Sequence, residues 1–195
     1  MTLTRKGQAT RERILKAAAE LIARRGVAGT STEDVRKAAG IGGSQLYHYF
    51  DSKQALIRAV ITRQALIPGR PMMGALDSFD ALRAWADAAI EHQELNGGRG
   101  DCTLPSLAGE LNPADDETRE DLCNAFLRWR SLLYEGLRAM RDRGDLQPTA
   151  DLDELSMVLL TALQGGSQLS QTLRTAEPMR ASMNAALAYV HAFAA

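Results

Sequence analysis

The chain has 195 residues, of which 45% are hydrophobic and 24% charged. This composition supports a substantial core and excludes a disordered or collagen-like chain. Its start lacks the apolar stretch of a signal peptide, and no run of about 18 apolar residues predicts a membrane span, so we expect no membrane association. The two cysteines show no disulfide or metal-ligand spacing, which favours a reducing, cytoplasmic environment.

Charge is unevenly distributed along the chain. Residues 1–66 contain 12 Lys and Arg against 5 Asp and Glu, whereas residues 67–195 contain 11 against 19. A basic end on an acidic body indicates that this end faces a polyanion. Because charged helix faces are common, the asymmetry alone leaves a simply solvated surface as the alternative.

Four helices are predicted in the first third. The first runs from about Thr10 to Arg25 on one apolar stripe, and Gly26 closes it. The second starts near Thr30, whose spacing to Glu33 fits a capping box. The third begins around residues 42–44 and ends near Tyr49, and Ser52 caps a fourth.

The second and third helices have the spacing of a helix-turn-helix motif. Gly40 permits the tight turn, and Ile41 fills the space between the two helices. Leu46 holds the third helix against the first. We expect the apolar residues around the motif to be core rather than functional: Ile14, Leu21, Val35, Phe50 and Leu56.

The rest of the chain also predicts helices, after a boundary loop at Pro68–Gly74. Their expected ranges are 79–95, 104–111, 115–143, 152–173 and a last helix opened by Pro178 that reaches about residue 193. Gly165 and Gly166 interrupt the fourth of these, and close approach of another helix or of a ligand would explain them. The prediction is an all-α fold of about nine helices.

Several short segments in the first third resemble the tetracycline-repressor (TetR) family of transcription regulators. They are Arg13-Ile14-Leu15, Ala17-Ala18, Gly26, Thr30 to Thr32, Ala38-Ala39-Gly40-Ile41, Leu46-Tyr47-His48-Tyr49-Phe50 and Ser52-Lys53-x-x-Leu56. The resemblance implies an N-terminal helix-turn-helix domain, which we place at residues 1–52. It implies a ligand-binding and dimerisation domain at residues 53–195.

A narrower resemblance concerns the second domain. Asp101-Cys102-Thr103-Leu104, Leu107-Ala108-Gly109-Glu110-Leu111, Phe126-x-x-Trp129 and Ala162-Leu163-Gln164-Gly165-Gly166 are similar to the TetR subgroup that answers to lincomycin or flavonoids. Family members also pair the last two long helices before the C-terminal one across a dimer axis. Leu155, Leu159, Leu163, Leu169 and Leu173 suit that role, as they would suit burial within the monomer.

The candidate DNA contacts lie at the motif. Ser44, Gln45 and His48 are the polar side chains of the reading helix that can meet base edges, and glutamine can pair with adenine. The resemblance implies phosphate contacts for Thr32, Tyr47 and Lys53. Gly42 and Gly43 stand where the family usually has larger residues, so the helix is expected to make fewer direct contacts and to rely more on DNA shape.

The candidate ligand contacts lie in the second part. A ligand cavity is usually apolar with a few polar groups, and plain core packing is the alternative for every residue in the set. The set is Trp85, His92, Cys102, Leu107, Phe126, Trp129 and Gln164.

The combined prediction is a sequence-specific DNA-binding regulator that binds a palindromic double-stranded DNA operator as a homodimer. A small-molecule inducer of unknown identity releases it, and no cofactor is needed. An enzyme is disfavoured because the sequence has no nucleophile elbow, paired acids, nucleotide loop or metal set. A helical protein-binding module is the other alternative, and its binding would not depend strongly on salt.

Overall fold

The computed structural model describes residues 4–66, 75–98, 104–110 and 115–195. Within these ranges it contains nine helices and only one isolated β-bridge, between Leu146 and Ala194, so the all-α prediction is confirmed. The helices are α1 Arg5–Arg25, α2 Thr32–Ala39, α3 Gly43–Tyr49, α4 Lys53–Leu66, α5 Phe79–Leu95, α6 Leu104–Gly109, α7 Asp116–Arg143, α8 Leu152–Leu173 and α9 Glu177–His191.

The chain packs as two units. The first combines Met1–Leu66 with Asp101–Ala125, and the second combines Ile67–Gly100 with Phe126–Ala195. Helix α7 is therefore shared, with its N-terminal part in the first unit and its C-terminal part in the second. The functional division expected at residues 52 and 53 stays a prediction.

In the first unit, α1 packs against α2 and α4. The five apolar residues expected in this core are all buried, which confirms that part of the prediction: Ile14, Leu21, Val35, Phe50 and Leu56. Burial of each such side chain contributes about 1.5–3 kcal/mol to the stability of the fold. Because α2 and α3 are too short to be stable helices alone, this burial keeps them folded.

Two helix starts differ from the sequence prediction. Helix α1 begins at Arg5 because the Thr4 side chain caps it by accepting a hydrogen bond from the Gly7 N–H. The capping box of α2 is formed by Ser31 and Asp34, so the predicted pair of Thr30 and Glu33 was wrong by one residue. The Thr30 hydroxyl instead donates to the Gly26 carbonyl at 2.8 Å.

In the second unit, α9 packs on α8 and α5. A Cβ atom on Gly166 would overlap the Ser182 hydroxyl and lie 3.0 Å from the Met179 Cα, so close approach of α9 explains this glycine. A Cβ on Gly165 would meet nothing within 4 Å. No described helix is both long and apolar enough to cross a membrane.

Candidate functional site

The helix-turn-helix consists of α2, the turn at residues 40–42 and α3. Gly40 ends α2 in the left-handed conformation, at φ 61° and ψ 46°, which glycine adopts without strain. Ile41 is buried, and its carbonyl accepts a hydrogen bond from Arg36 Nη1 at 3.1 Å. Leu46 is 2% exposed and fixes the rotation of α3 about its axis. The turn and the buried side of α3 thus follow the roles predicted for these residues.

Helix α1 supports the motif from behind. Arg13 Nε donates to the Ala39 carbonyl at 2.9 Å, which satisfies a free carbonyl at the end of α2. The Arg11 guanidinium lies 5.3 Å from the centre of the Phe50 ring, directly after α3. These contacts tie the middle of the motif, next to its turn, and its C-terminal end to α1.

The outer side of α3 presents four exposed side chains, which we call the reading face: Ser44, Gln45, Tyr47 and His48. Tyr47 is 61% exposed, and the His48 ring packs edge-on against Tyr49 at 5.3 Å. A Cβ on Gly42 or Gly43 would meet nothing within 4 Å, so these glycines leave the start of α3 open to an approaching surface.

Charges on α2 are largely paired within the helix. Glu33 accepts hydrogen bonds from Arg36 at 2.5 and 2.7 Å, and this pairing lowers the pKa of Glu33 to about 2. Lys37 lies 3.6 Å from the same carboxylate. Thr32 is the first residue of α2 and half-buried, and helix N-termini favour phosphate oxygens.

Lys53 has a contact that the sequence did not reveal. At the first position of α4, its ammonium donates to the Val27 carbonyl at 2.7 Å and thus ties α4 to the turn between α1 and α2. An ammonium has three donors, so one such bond leaves capacity for an anion.

Three acidic residues, one directly after α6 and two on α7, also hold the first unit together. Glu110, directly after α6, accepts a hydrogen bond from the Ala28 N–H at 3.0 Å, in the same turn that Lys53 contacts. Arg58 of α4 donates to Asp121 of α7 at 2.6 Å and also pairs with Glu117. Residues on either side of the helix-turn-helix, Ala28 before it and Arg58 after it, are thus bonded to residues more than 50 positions away in sequence.

In the second unit, three of the predicted ligand residues carry buried polar atoms without a hydrogen-bond partner among the described residues. They are Trp85 and Trp129, whose side chains are 2% and 4% exposed, and Gln164. Gln93, 3% exposed, shares this property and was missed. The sequence held a signal for it, because Trp85, Ala89 and Gln93 recur every four residues on one side of α5.

The other predicted ligand residues divide between the units. His92 and Phe126 are half-buried in the second unit, and the Phe126 ring meets Trp129 edge-on at 6.4 Å. Leu107 is buried in the first unit. Cys102 lies outside the described residues. Across the described ranges, no three His, Cys, Asp or Glu side chains cluster as metal ligands.

Comparison with known proteins gives two matches to family profiles. The profile "Bacterial regulatory proteins, tetR family" matches residues 14–60, which span the helix-turn-helix. The profile "Tetracyclin repressor-like, C-terminal domain" matches residues 78–186, more than half of the chain.

Individual relatives agree with these profiles. The HTH-type transcriptional repressor DhaR of Mycobacterium sp. (strain GP1) is 25% identical over 87% of this chain and 86% of its own. The HTH-type transcriptional regulator UidR of Escherichia coli K12 is 27% identical over 81% of this chain and 80% of its own. A TetR transcriptional regulator from Chloroflexus aurantiacus J-10-FL, of known crystal structure, aligns with a TM-score of 0.79 and 26% identity over 96% of both chains. The chain therefore belongs to the TetR family of helix-turn-helix transcription regulators.

Proposed function

We propose that this protein is a repressor that holds a palindromic operator as a homodimer and leaves it when a small molecule binds in the second unit. The carrying observation is the reading face, where four polar or aromatic side chains of α3 point outward while Leu46 anchors the helix from behind. A helix that enters the major groove needs exposed polar side chains on one side and a buried side chain on the other that keeps it packed on its own domain.

The side chains of this surface divide into two roles. Gln45 and Ser44 read base edges, with His48 as a further candidate, because their amide, hydroxyl and imidazole groups can match donors and acceptors in the major groove. Thr32, Tyr47 and Lys53 bind phosphates, which sets affinity and position but not sequence choice. Paired charges on α2 leave little net charge there, so phosphate binding depends on these individual contacts.

Dimerisation through α8 and α9, one helix further along the chain than the pair expected from the sequence, is supported by apolar side chains that remain exposed on them in the single chain. They are Met157, Leu169, Leu173 and Tyr189. Leu155 and Leu159, which also suited a dimer interface from the sequence, are buried inside the protomer. A two-fold dimer would present two reading faces about one DNA turn apart, which matches a palindrome.

The ligand binds among Trp85, His92, Phe126, Trp129 and Gln164, the members of the predicted set that belong to the second unit. Repression is supported by the relative DhaR, which is a transcriptional repressor. A regulatory rather than an enzymatic role is supported by relatives that are themselves named regulators. Release requires that the ligand prefer the conformation unable to bind DNA, and full switching takes about 5.5 kcal/mol of differential binding.

The test begins with selection of bound sequences from random duplex DNA at about 0.15 M salt, the physiological ionic strength. Recovery of one palindrome supports the proposal, and recovery of nothing above background from folded dimer contradicts it. Gln45→Ala should then weaken the cognate site by about 1–3 kcal/mol and relax specificity at one base pair.

A matched control is Gln54→Ala, an exposed glutamine on α4 outside the reading face. It should leave specificity unchanged. Equal weakening of cognate and random DNA by Gln45→Ala would remove Gln45 from the base-reading set.

A further inference from the structure

Four buried polar atoms in the second unit have no hydrogen-bond partner among the described residues. Two are indole N–H donors, Trp85 Nε1 and Trp129 Nε1, and two are amide oxygens, Gln93 Oε1 and Gln164 Oε1. A buried polar group without a partner is unfavourable, and folded proteins keep few of them. Four such atoms within one unit need an explanation, and a bound molecule that supplies the missing partners is one.

The two glutamines come from different helices, Gln93 from α5 and Gln164 from α8, and both lie near Ser167 of α8. Gln93 Nε2 is 3.4 Å from the Ser167 hydroxyl, and this contact leaves Gln93 Oε1 unused. Gln164 lies three residues before Ser167, so it is on the same side of α8 and about one turn away. Both amide oxygens therefore lie at the level of the C-terminal half of α8.

The two tryptophans lie toward the other end of α8. Helices α5 and α8 run in the same direction where they meet, because Gln93 contacts Ser167 and the later Gly98 lies against the backbone of Ser170. Trp85 precedes Gln93 by eight residues, or about 12 Å along α5, and so lies toward the N-terminal half of α8. Trp129 directly precedes Arg130, whose Nε donates to Ser156 near the start of α8.

We propose that the ligand is an uncharged, elongated molecule with a hydrogen-bond acceptor at one end and a donor at the other, for example a ketone that also carries a hydroxyl. The acceptor binds the indoles of Trp85 and Trp129. The hydroxyl donates its single proton to Gln164 Oε1, and Gln93 Oε1 takes a second donor, such as a further hydroxyl. This inference rests on the proposed inducer site and specifies the chemistry of its ligand.

The chemistry of the four groups supports each part of this assignment. An indole N–H only donates and an amide oxygen only accepts, so the order of acceptor and donor along the ligand is fixed. All four groups are uncharged, and a buried ionic ligand would need a counter-charge that they do not offer. The edge-on contact of Phe126 with Trp129 adds an aromatic wall at the acceptor end, which suits a flat or ring-based ligand.

The first experiment uses intrinsic fluorescence, because the chain contains only two tryptophans and both belong to the proposed site. The probes are 4-hydroxychalcone, 4′-hydroxyflavanone and testosterone, each as free hydroxyl, O-methyl ether and O-sulfate. At least one free hydroxyl compound should quench the tryptophans and bind about tenfold or more tightly than its ether and its sulfate. Tighter binding of a sulfate, equal binding of the ethers, or no quenching by any hydroxyl compound overturns the assignment.

The second experiment compares Gln164→Leu with Gln168→Leu, the same change on the exposed side of α8. Gln164→Leu should remove the preference for the hydroxyl over the ether, and it should raise Tm by about 2–4 °C because a buried unpaired oxygen is lost. Gln168→Leu should do neither. If Gln164→Leu lowers Tm and keeps the preference, Gln164 does not meet the ligand.

Neither experiment uses DNA, so its result is independent of whether the operator selection succeeds. Ligand preference without operator binding would leave this inference standing and overturn the proposed repressor. Operator binding together with a preference for the charged sulfates would overturn this inference and leave the proposed repressor standing.

Discussion

Replacement of Lys53 by methionine separates its two roles, one within the fold and one proposed at DNA. Methionine keeps an unbranched apolar side chain and removes the ammonium that donates to the Val27 carbonyl at 2.7 Å. If the ammonium also binds a phosphate, the substitution removes one ionic contact from each protomer of a dimer.

The salt dependence gives the magnitude. Each phosphate contact contributes about −0.9 to the slope of log K against log salt, so two contacts change the slope by about 1.8 per dimer. Between about 0.05 and 0.2 M salt, the difference in affinity between wild type and Lys53→Met should then shrink about tenfold. Loss of the half-buried bond to Val27 should also lower stability by about 1 kcal/mol, or Tm by about 2–4 °C.

The assay is equilibrium binding to the selected operator and to random DNA at four or more salt concentrations, together with thermal unfolding. Lys37→Met serves as control, because it removes the same charge from the first unit at an exposed position paired with Glu33. An unchanged slope in Lys53→Met, with Tm lowered, would show that Lys53 acts only within the fold. The same slope change in both variants would show a general charge effect and refute the direct contact.

Three further outcomes follow from the backbone and from hydrogen bonds. Gly166→Ala should destabilise the protein by about 1–3 kcal/mol in urea unfolding, because α9 occupies the space that the added methyl group would need. Gly165→Ala should stabilise it by up to about 1 kcal/mol, because the methyl group there meets nothing. Equal effects of the two substitutions would contradict the close approach of α9 to Gly166. Gly26→Ala should lower the free energy of unfolding by about 3 kcal/mol, because residue 26 has φ 71° and ψ 175° and its Cβ would meet the Glu110 carboxylate. Gly40→Ala should lower it by only about 1 kcal/mol, because residue 40 has φ 61° and its Cβ would meet nothing within 4 Å. The reverse order would refute the role of strain at residue 26. Hydrogen bonds from Ser31 lower the pKa of Asp34, so its carboxylate stabilises the fold at neutral pH and loses this effect as the pH falls below about 4. The difference in Tm between wild type and Asp34→Asn should therefore shrink in that range. A difference that stays constant with pH would contradict the role of Asp34.

Local patterns in the sequence predicted most of the fold. Apolar periodicity placed α5 and α8 at the bounds that the structure shows, because each helix buries one continuous stripe. The start of α2 was missed because Thr30 with Glu33 and Ser31 with Asp34 have the same spacing, and only the bonds made in the fold select the second pair. Spacing alone contains no information that separates them.

The candidate site was predictable where one helix defines it. The register of α3 follows from Leu46, so the exposure of Gln45 could be read from the sequence. The bonds from Lys53 to Val27 and from the Ala28 N–H to Glu110 join residues 26 and 82 positions apart, and no local pattern specifies such pairs. The DNA and ligand roles of individual residues stay predictions, as does the likeness to lincomycin- and flavonoid-responsive regulators.

The composition of the first unit has a consequence for the construction of hybrid regulators. An exchange of the DNA-reading part at the end of α4 would cut this unit in two, because Asp101–Ala125 belongs to it as well. A foreign first segment would meet Glu110, Glu117 and Asp121 without the turn at Ala28 and the arginine at residue 58 to which they bond. A functional hybrid therefore needs both segments from the same parent, with the last of its three junctions placed inside α7 after Ala125.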